Sequence, residues 1–263
     1  MSAVRPPAVA GMFYPADPRQ LKLDVQKYLA DAQPQAFQPK ALIAPHAGYI
    51  YSGAIAASAY ATLKTIAPRI RRVILLGPTH RVAVRGLALP DTDAFDTPLG
   101  RVQLDTDAMR AIATLPQVLV SGEAHEEEHS LEVQLPFLQS VLGEFTLLPL
   151  AVGMATAEEV AEVLEAVWGG DETLIVISSD LSHYLPYAAA QAVDNKTAQA
   201  ILNLQQTIDH EQACGGTPVS GLLAAARRHH LTPHLLDLRN SGDTAGSKIR
   251  VVGYAAFACT PAV

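Results

Sequence analysis

A chain of 263 residues, 49% hydrophobic and 17% charged, carries enough apolar side chains to bury a core without cross-links, which argues against disorder. The formal net charge is −7, from 26 acidic against 19 basic residues, and no basic run exceeds Arg71-Arg72 or Arg227-Arg228, so a nucleic-acid partner is excluded. Cys214 and Cys259 are too few for a disulfide framework, no signal-peptide pattern opens the chain, and no window approaches the ~18 apolar residues of a spanning helix; a cytoplasmic protein without a membrane partner is expected.

In chain order, residues 31–40, with Pro34 and Pro39, read as a loose join between a first helix and a first core strand at 41–44. The runs 41–44, 73–76 and 174–177 are continuously apolar, as strands buried on both faces are. Residues 145–152 and 249–258 read as further strands. Thr156 with Glu159 forms a capping-box pattern ahead of Val160, Val163, Leu164 and Val167 on one helical face. Thr217-Pro218 reads as an N-cap and first helical position leading into Leu222, Leu223 and Ala226. Buried strands alternating with amphipathic helices predict a single α/β domain over 1–263. Its central sheet is expected to be largely parallel or mixed, with helices on both faces.

Ligands of open α/β sheets bind at the carboxyl ends of strands. Three apolar runs here end in polar clusters: Pro45-His46-Ala47-Gly48-Tyr49-Ile50-Tyr51-Ser52-Gly53, Gly77-Pro78-Thr79-His80 and Ser178-Ser179-Asp180-Leu181-Ser182-His183. A lone loop histidine is ordinarily just a hydrogen-bonded side chain. Three of them at strand ends that the fold gathers together point to one shared site. His46 and His80 are candidate metal ligands, since neutral imidazoles suit iron, zinc or copper. Asp180 is a candidate third ligand; alternatively it orients His183, which then acts as general acid/base near neutral pH. Cys214 is the other candidate anionic ligand. Its place before a helix start favours the thiolate, and the competing reading is a small buried hydrophobe. Cys259, inside an apolar strand, takes that second reading.

His125-Glu126-Glu127-Glu128-His129 is a literal H-E-x-x-H match. The zinc-peptidase chemistry of that motif needs both imidazoles on one helical face. Gly122 to His129 has only Ala124 as an apolar contact, so a solvated acidic loop is expected instead, with Ser130 capping a helix over 131–142 that Pro136 perturbs. His129 and Glu132 are the members of this segment that can still reach the pocket.

Several blocks in one order resemble the MEMO family, to which AmmeMemoRadiSam system protein B belongs. They are Pro7-Ala8-Val9-Ala10-Gly11-Met12-Phe13-Tyr14-Pro15, the stretches 45–53 and 77–80, Glu128-His129-Ser130-Leu131-Glu132, 178–184, Cys214-Gly215, Asn240-Ser241-Gly242-Asp243-Thr244 and Val251-Val252-Gly253-Tyr254. The resemblance implies a fold like the catalytic subunit of class III extradiol dioxygenases, which use non-haem Fe(II). In that superfamily two pocket histidines bind iron, and a histidine in a Leu-Ser-His segment is the acid/base. By motif, His46 and His80 match the first role and His183 the second. The family pocket is implied to comprise His46, His80 and Cys214, with Asp180 and His183 beside them. The dioxygenases' third ligand is a glutamate, for which this chain offers Cys214. A thiolate beside Fe(II) shifts its potential and is itself oxidisable.

The expected cofactor is Fe(II), with copper or zinc as alternatives. The family name also implies a functional link with a radical SAM protein. Two functions follow as expectations. One is a metal-dependent, dioxygenase-like oxidoreductase acting on a small aromatic or related molecule. The other is a non-catalytic adaptor for a peptide or small ligand, with Tyr49, Tyr51 and Tyr184 along its groove. A thiol catalyst using Cys214 ranks third.

Overall fold

The computed structural model describes residues 3–33 and 36–262, so Pro34 of the expected 31–40 join lies outside the described residues. After the short strand β1 (Val4–Arg5), helix α1 (Pro18–Asp31) starts where Asp17 accepts from the Gln20 N–H and Pro18 fills the first turn. Strand β2 (Ala41–Ala44) feeds helix α2 (Tyr49–Tyr60), and β3 (Arg72–Pro78) ends on the loop carrying His80. The middle of the chain holds β4 (Leu87–Leu89), β5 (Ala94–Thr97), β6 (Gly100–Gln103), α3 (Thr106–Ile112) and β7 (Val118–Val120). Three short helices follow: α4 (Glu123–Glu126), α5 (His129–Glu132) and α6 (Leu135–Val141). The last part comprises β8 (Thr146–Val152), α7 (Ala157–Val167), β9 (Thr173–Ser178), β10 (His183–Leu185), α8 (Tyr187–Leu202), α9 (Gly216–Arg228), β11 (Leu231–Asn240) and β12 (Val251–Pro261).

The expected α/β architecture is present, and the sheet is mixed. Among the described residues nine strands form one sheet, in the order β10-β12-β2-β9-β3-β8-β4-β7 with β11 on β12. The parallel centre is β2, β9, β3 and β8, while β12 joins β2 and β4 joins β8 antiparallel. Strands β1, β5 and β6 form a separate small sheet. Alternate residues of the central strands enter two cores. Leu42, Val73, Leu75, Leu174 and Val176 face α1, α2 and α6, whereas Ile43, Ile74, Leu76, Ile175 and Ile177 face α3, α7, α8 and α9. Truncating one of these fully buried residues to alanine costs about 2–5 kcal/mol, so the strand ends that carry the polar clusters are rigidly held.

The Thr156–Glu159 capping box forms as expected. Two expected helix starts differ. Helix α9 begins at Gly216 with Gly215 as N-cap, ahead of Thr217-Pro218. The helix expected over 131–142 is two pieces, α5 and α6, with Pro136 in the first turn of α6, where a residue without an N–H is tolerated. Glu128, not Ser130, caps α5, accepting from the Ser130 N–H at 2.8 Å. No helix among the described residues is long and apolar enough to cross a membrane.

Candidate metal centre

His46 leaves the end of β2 through Pro45 and is 1% exposed. Its backbone N–H donates to Asp180 Oδ1 at 2.7 Å, and its Nδ1 lies 2.9 Å from Ser178 Oγ. The single hydroxyl proton of Ser178 is given to the Ser130 carbonyl at 2.6 Å, so toward His46 that oxygen accepts. Nδ1 of His46 therefore carries the ring proton and Nε2 carries the lone pair. Burial first, then the His80 charge, pushes the His46 pKa down to about 3, which keeps the ring neutral at pH 7.

His80 follows β3. Its Nδ1 faces Glu128 Oε1 at 2.9 Å, and its backbone N–H donates to the other oxygen of the same carboxylate. Burial acts to raise the Glu128 pKa, but the hydrogen bond and charge of His80 outweigh it and hold the carboxyl at about 2. An ionised carboxylate only accepts, so His80 too keeps its proton on Nδ1 and turns the Nε2 lone pair away. A ligating histidine whose other nitrogen is held by a carboxylate is the usual outer arrangement of a metal site.

The third imidazole is His129, at the start of α5. Its ring stacks on His80 at 4.6 Å between centroids, lies 5.4 Å from His46 and packs on Phe13 at 4.7 Å. One ring nitrogen from each of His46, His80 and His129 falls within 4.8 Å of the others, the set among the described residues best placed to hold an ion. Burial and the neighbouring His46 lower the His129 pKa to about 4. Three convergent imidazoles, two of them with the Nδ1 proton committed outward to Ser178 and Glu128, are a donor set that fits a transition-metal cation. Sequence reasoning left His129 as a residue that could reach the pocket; its signal was the Glu128-His129-Ser130 block, whose carboxylate serves both neighbours.

Cys214 Sγ lies 3.3 Å from His46 Nε2 and 3.7 Å from the Asp180 carbonyl oxygen, beside the first of the three imidazoles. The thiolate expected from the nearby helix start is not the favoured form here. Burial first, then the Asp180 carboxylate, pushes the thiol up to about 12. Asp180 is itself buried and raised by that burial, and its near oxygen is engaged by the His46 backbone.

His183 sits at the start of β10. The segment before it is pinned three times: Leu181 N–H to Gly253 O at 2.8 Å, Gly253 N–H to Ser182 O at 2.8 Å, and Ser182 N–H to Asp194 Oδ1 at 3.0 Å. Tyr184 then takes φ of 59°, a left-handed conformation that non-glycine residues seldom adopt, so the turn after His183 is held under strain. A cavity of about 590 Å³ opens over His80, His183 and Cys214, with Val84 and Met154 as its apolar side and His210 and Glu211 at its polar side. Sequence reasoning did not find Asp194, Met154, His210 or Glu211, which belong to no motif. Of the tyrosines expected along a groove, Tyr49 is 3% exposed and donates to the Val133 carbonyl, so it is a packing residue, whereas Tyr184 is 61% exposed.

The H-E-x-x-H match does not form a peptidase helix. His125 and His129 lie on separate helices, and His125 Nε2 binds the Ala88 carbonyl at 2.9 Å, away from the cluster. The segment is not the solvated loop expected either, because His125, Glu128 and Glu132 are all at most 2% exposed. Arg5 explains this burial. Its guanidinium pairs with Glu132 at 2.8 Å and donates to the carbonyls of His125 and Glu128.

A family model described as Memo-like protein matches residues 5–258. The chain belongs to the Memo-like family. A MEMO1 family protein of Methanosarcina barkeri is 36% identical, covering 97% of this chain and 99% of its own length. One from Aquifex aeolicus is also 36% identical, over 95% of this chain and 97% of the relative, and one from Archaeoglobus fulgidus is 34% identical over 96% and 98%. Among solved structures, the uncharacterized protein JW3007 from Escherichia coli K12 superposes with a TM-score of 0.55 at 15% identity, over 82% of this Memo-like chain and 98% of that one. At that identity the likeness speaks to the fold alone.

Proposed function

We propose that this Memo-like protein is a metal-dependent oxidoreductase, with iron(II) held by His46, His80 and His129 beside Cys214. Copper and zinc are the alternative ions. The observation that carries the reading is the convergence of three imidazoles, two of them with Nδ1 protons tied to Ser178 and Glu128. Iron(II) would supply a redox-active Lewis acid for a small substrate and O2.

The chain's own residues supply the rest. The cavity sets Val84 and the exposed Met154 beside His80 and His183, an apolar side that suits an apolar or aromatic substrate of limited size. His183 is within that cavity, on a segment fixed by Gly253 and Asp194, and is the group to take or return a substrate proton. Asp180 holds the His46 backbone in place, and Cys214 would offer a sulfur ligand to the ion.

The test is O2 consumption by protein loaded anaerobically with Fe(II), screened against small phenols and catechols, beside His183→Gln and His80→Ala. Turnover lost in both variants, with metal retained in His183→Gln, supports the reading. Metal bound but no turnover with any substrate, together with ligand or peptide binding that survives His80→Ala, favours the non-catalytic adaptor.

A further inference from the structure

His125, the first histidine of the H-E-x-x-H match, plays no part in the cluster above, yet it has the features of a ligand. It is 2% exposed, and its Nε2 lies 2.9 Å from the Ala88 carbonyl. A carbonyl oxygen only accepts, so Nε2 bears the proton and Nδ1 is a bare acceptor. Burial, the main influence, pushes its pKa down to about 4, so the ring is neutral at pH 7. That Nδ1 has no hydrogen-bond partner among the described residues. Leaving a buried acceptor unmet carries the full penalty of removing it from water, which calls for a reason.

Histidine 125 lines a cavity of about 310 Å³, separate from the one over His80, and Asp91, Thr92, Glu123 and Glu126 line it too. Thr92 Oγ1 is a second buried polar atom in that wall without a partner among the described residues. Asp91, Glu123 and Glu126 are exposed. Asp91 folds over Gly122, where an added Cβ would lie 2.3 Å from its Oδ1. Arg5 also lines the cavity, but its charge is met by Glu132 at 2.8 Å. The wall therefore has an acidic excess beside a neutral imidazole.

We propose that this cavity is a second site for a borderline divalent cation of the zinc(II) type. His125 Nδ1 is the fixed ligand, Asp91, Glu123 and Glu126 swing in as oxygen ligands, and Thr92 Oγ1 bonds a coordinated water. The Nε2–H···O=C bond to Ala88 is the outer contact that fixes the tautomer of a ligating histidine. An imidazole with carboxylates selects zinc over calcium or magnesium, which prefer oxygen alone. The carboxylates are exposed and the ligands are not already gathered, so binding is weaker than at the three-histidine centre.

The experiment is a zinc(II) titration of the His46→Ala/His80→Ala protein, which silences the first centre, followed by nitrogen NMR of the imidazoles. One zinc is expected to bind and to move the His125 Nδ1 resonance. Asp91→Asn and His125→Gln are expected to weaken binding about tenfold or more. A His125 Nδ1 resonance unmoved by saturating zinc, or binding unchanged in His125→Gln, overturns the proposal. If His125→Gln does not fold, Asp91→Asn, an exposed change, and the resonance of the unaltered His125 decide the question. The same titration of wild-type protein separates this site from the first, since each moves its own imidazoles.

Discussion

Glu128 grips His80 at two points, accepting from its backbone N–H with one oxygen and from its Nδ1–H at 2.9 Å with the other. This carboxylate fixes both the position and the tautomer of the proposed ligand His80. Glu128→Gln keeps the size but lets the amide donate toward Nδ1, which favours the wrong tautomer. Metal affinity should fall about 10–100-fold in a chelator competition while the protein stays folded. Unchanged affinity would mean that His80 is not a ligand or needs no outer partner.

The N-terminal block is a wall of the same centre. Glu132 accepts from the N–H groups of Ala8 and Val9 and from the Tyr14 hydroxyl, and Phe13 then packs on His129. Removing Arg5 takes the counter-charge from a buried carboxylate. Arg5→Met should destabilise the fold by about 3–5 kcal/mol in urea unfolding, and a loss under 1 kcal/mol would show that the pair is not structurally important.

Gly77 lies where β3 meets α5. An added Cβ would come within 2.7 Å of Ser130 Oγ and 3.0 Å of Leu131 Cδ2. Gly77→Ala should push α5, and His129 with it, off the cluster. Metal affinity should drop at least as far as in Glu128→Gln, read by the same competition; full affinity in a folded Gly77→Ala protein would argue against His129 as a ligand.

Acid should weaken the metal-free protein in two stages. His46, His125 and His129 are all held below the usual 6.5, at about 3, 4 and 4, chiefly by burial. The unfolded chain takes up protons at these rings first, so stability is lost as pH falls from about 6.5 toward 4. Glu128, held at about 2 against 4.5, adds stability above its unfolded value that is lost as pH falls from about 4.5 toward 2. The urea midpoint should be lower at pH 5 than at pH 7, with a shallower slope in His125→Gln. A flat profile between those values would contradict neutral buried imidazoles.

Much of the fold was legible because β2, β3 and β9 are buried on both faces and so read as unbroken apolar runs. The capping box of α7 was legible because it is local chemistry between Thr156 and Glu159. His46, His80 and His183 could be placed together because strand ends converge in such sheets. His129 could be read only as a residue able to reach the pocket, because α5 has four residues and no hydrophobic period. Burial of Glu128 and Glu132 depends on His80 and Arg5, 48 and 127 residues away, which no local pattern encodes. The Cys214 thiol followed the same rule: tertiary burial overrode the helix start beside it.

The most direct test is the metal content of anaerobically purified protein, for wild type beside His46→Ala, His80→Ala, His129→Ala and Cys214→Ala. The account predicts near-stoichiometric iron or copper in the wild type after anaerobic loading, lost in each of the three histidine variants, with Cys214→Ala reduced in affinity. Full occupancy in His129→Ala would contradict the three-imidazole centre, and no metal in the wild type after Fe(II) loading would contradict a metal centre altogether.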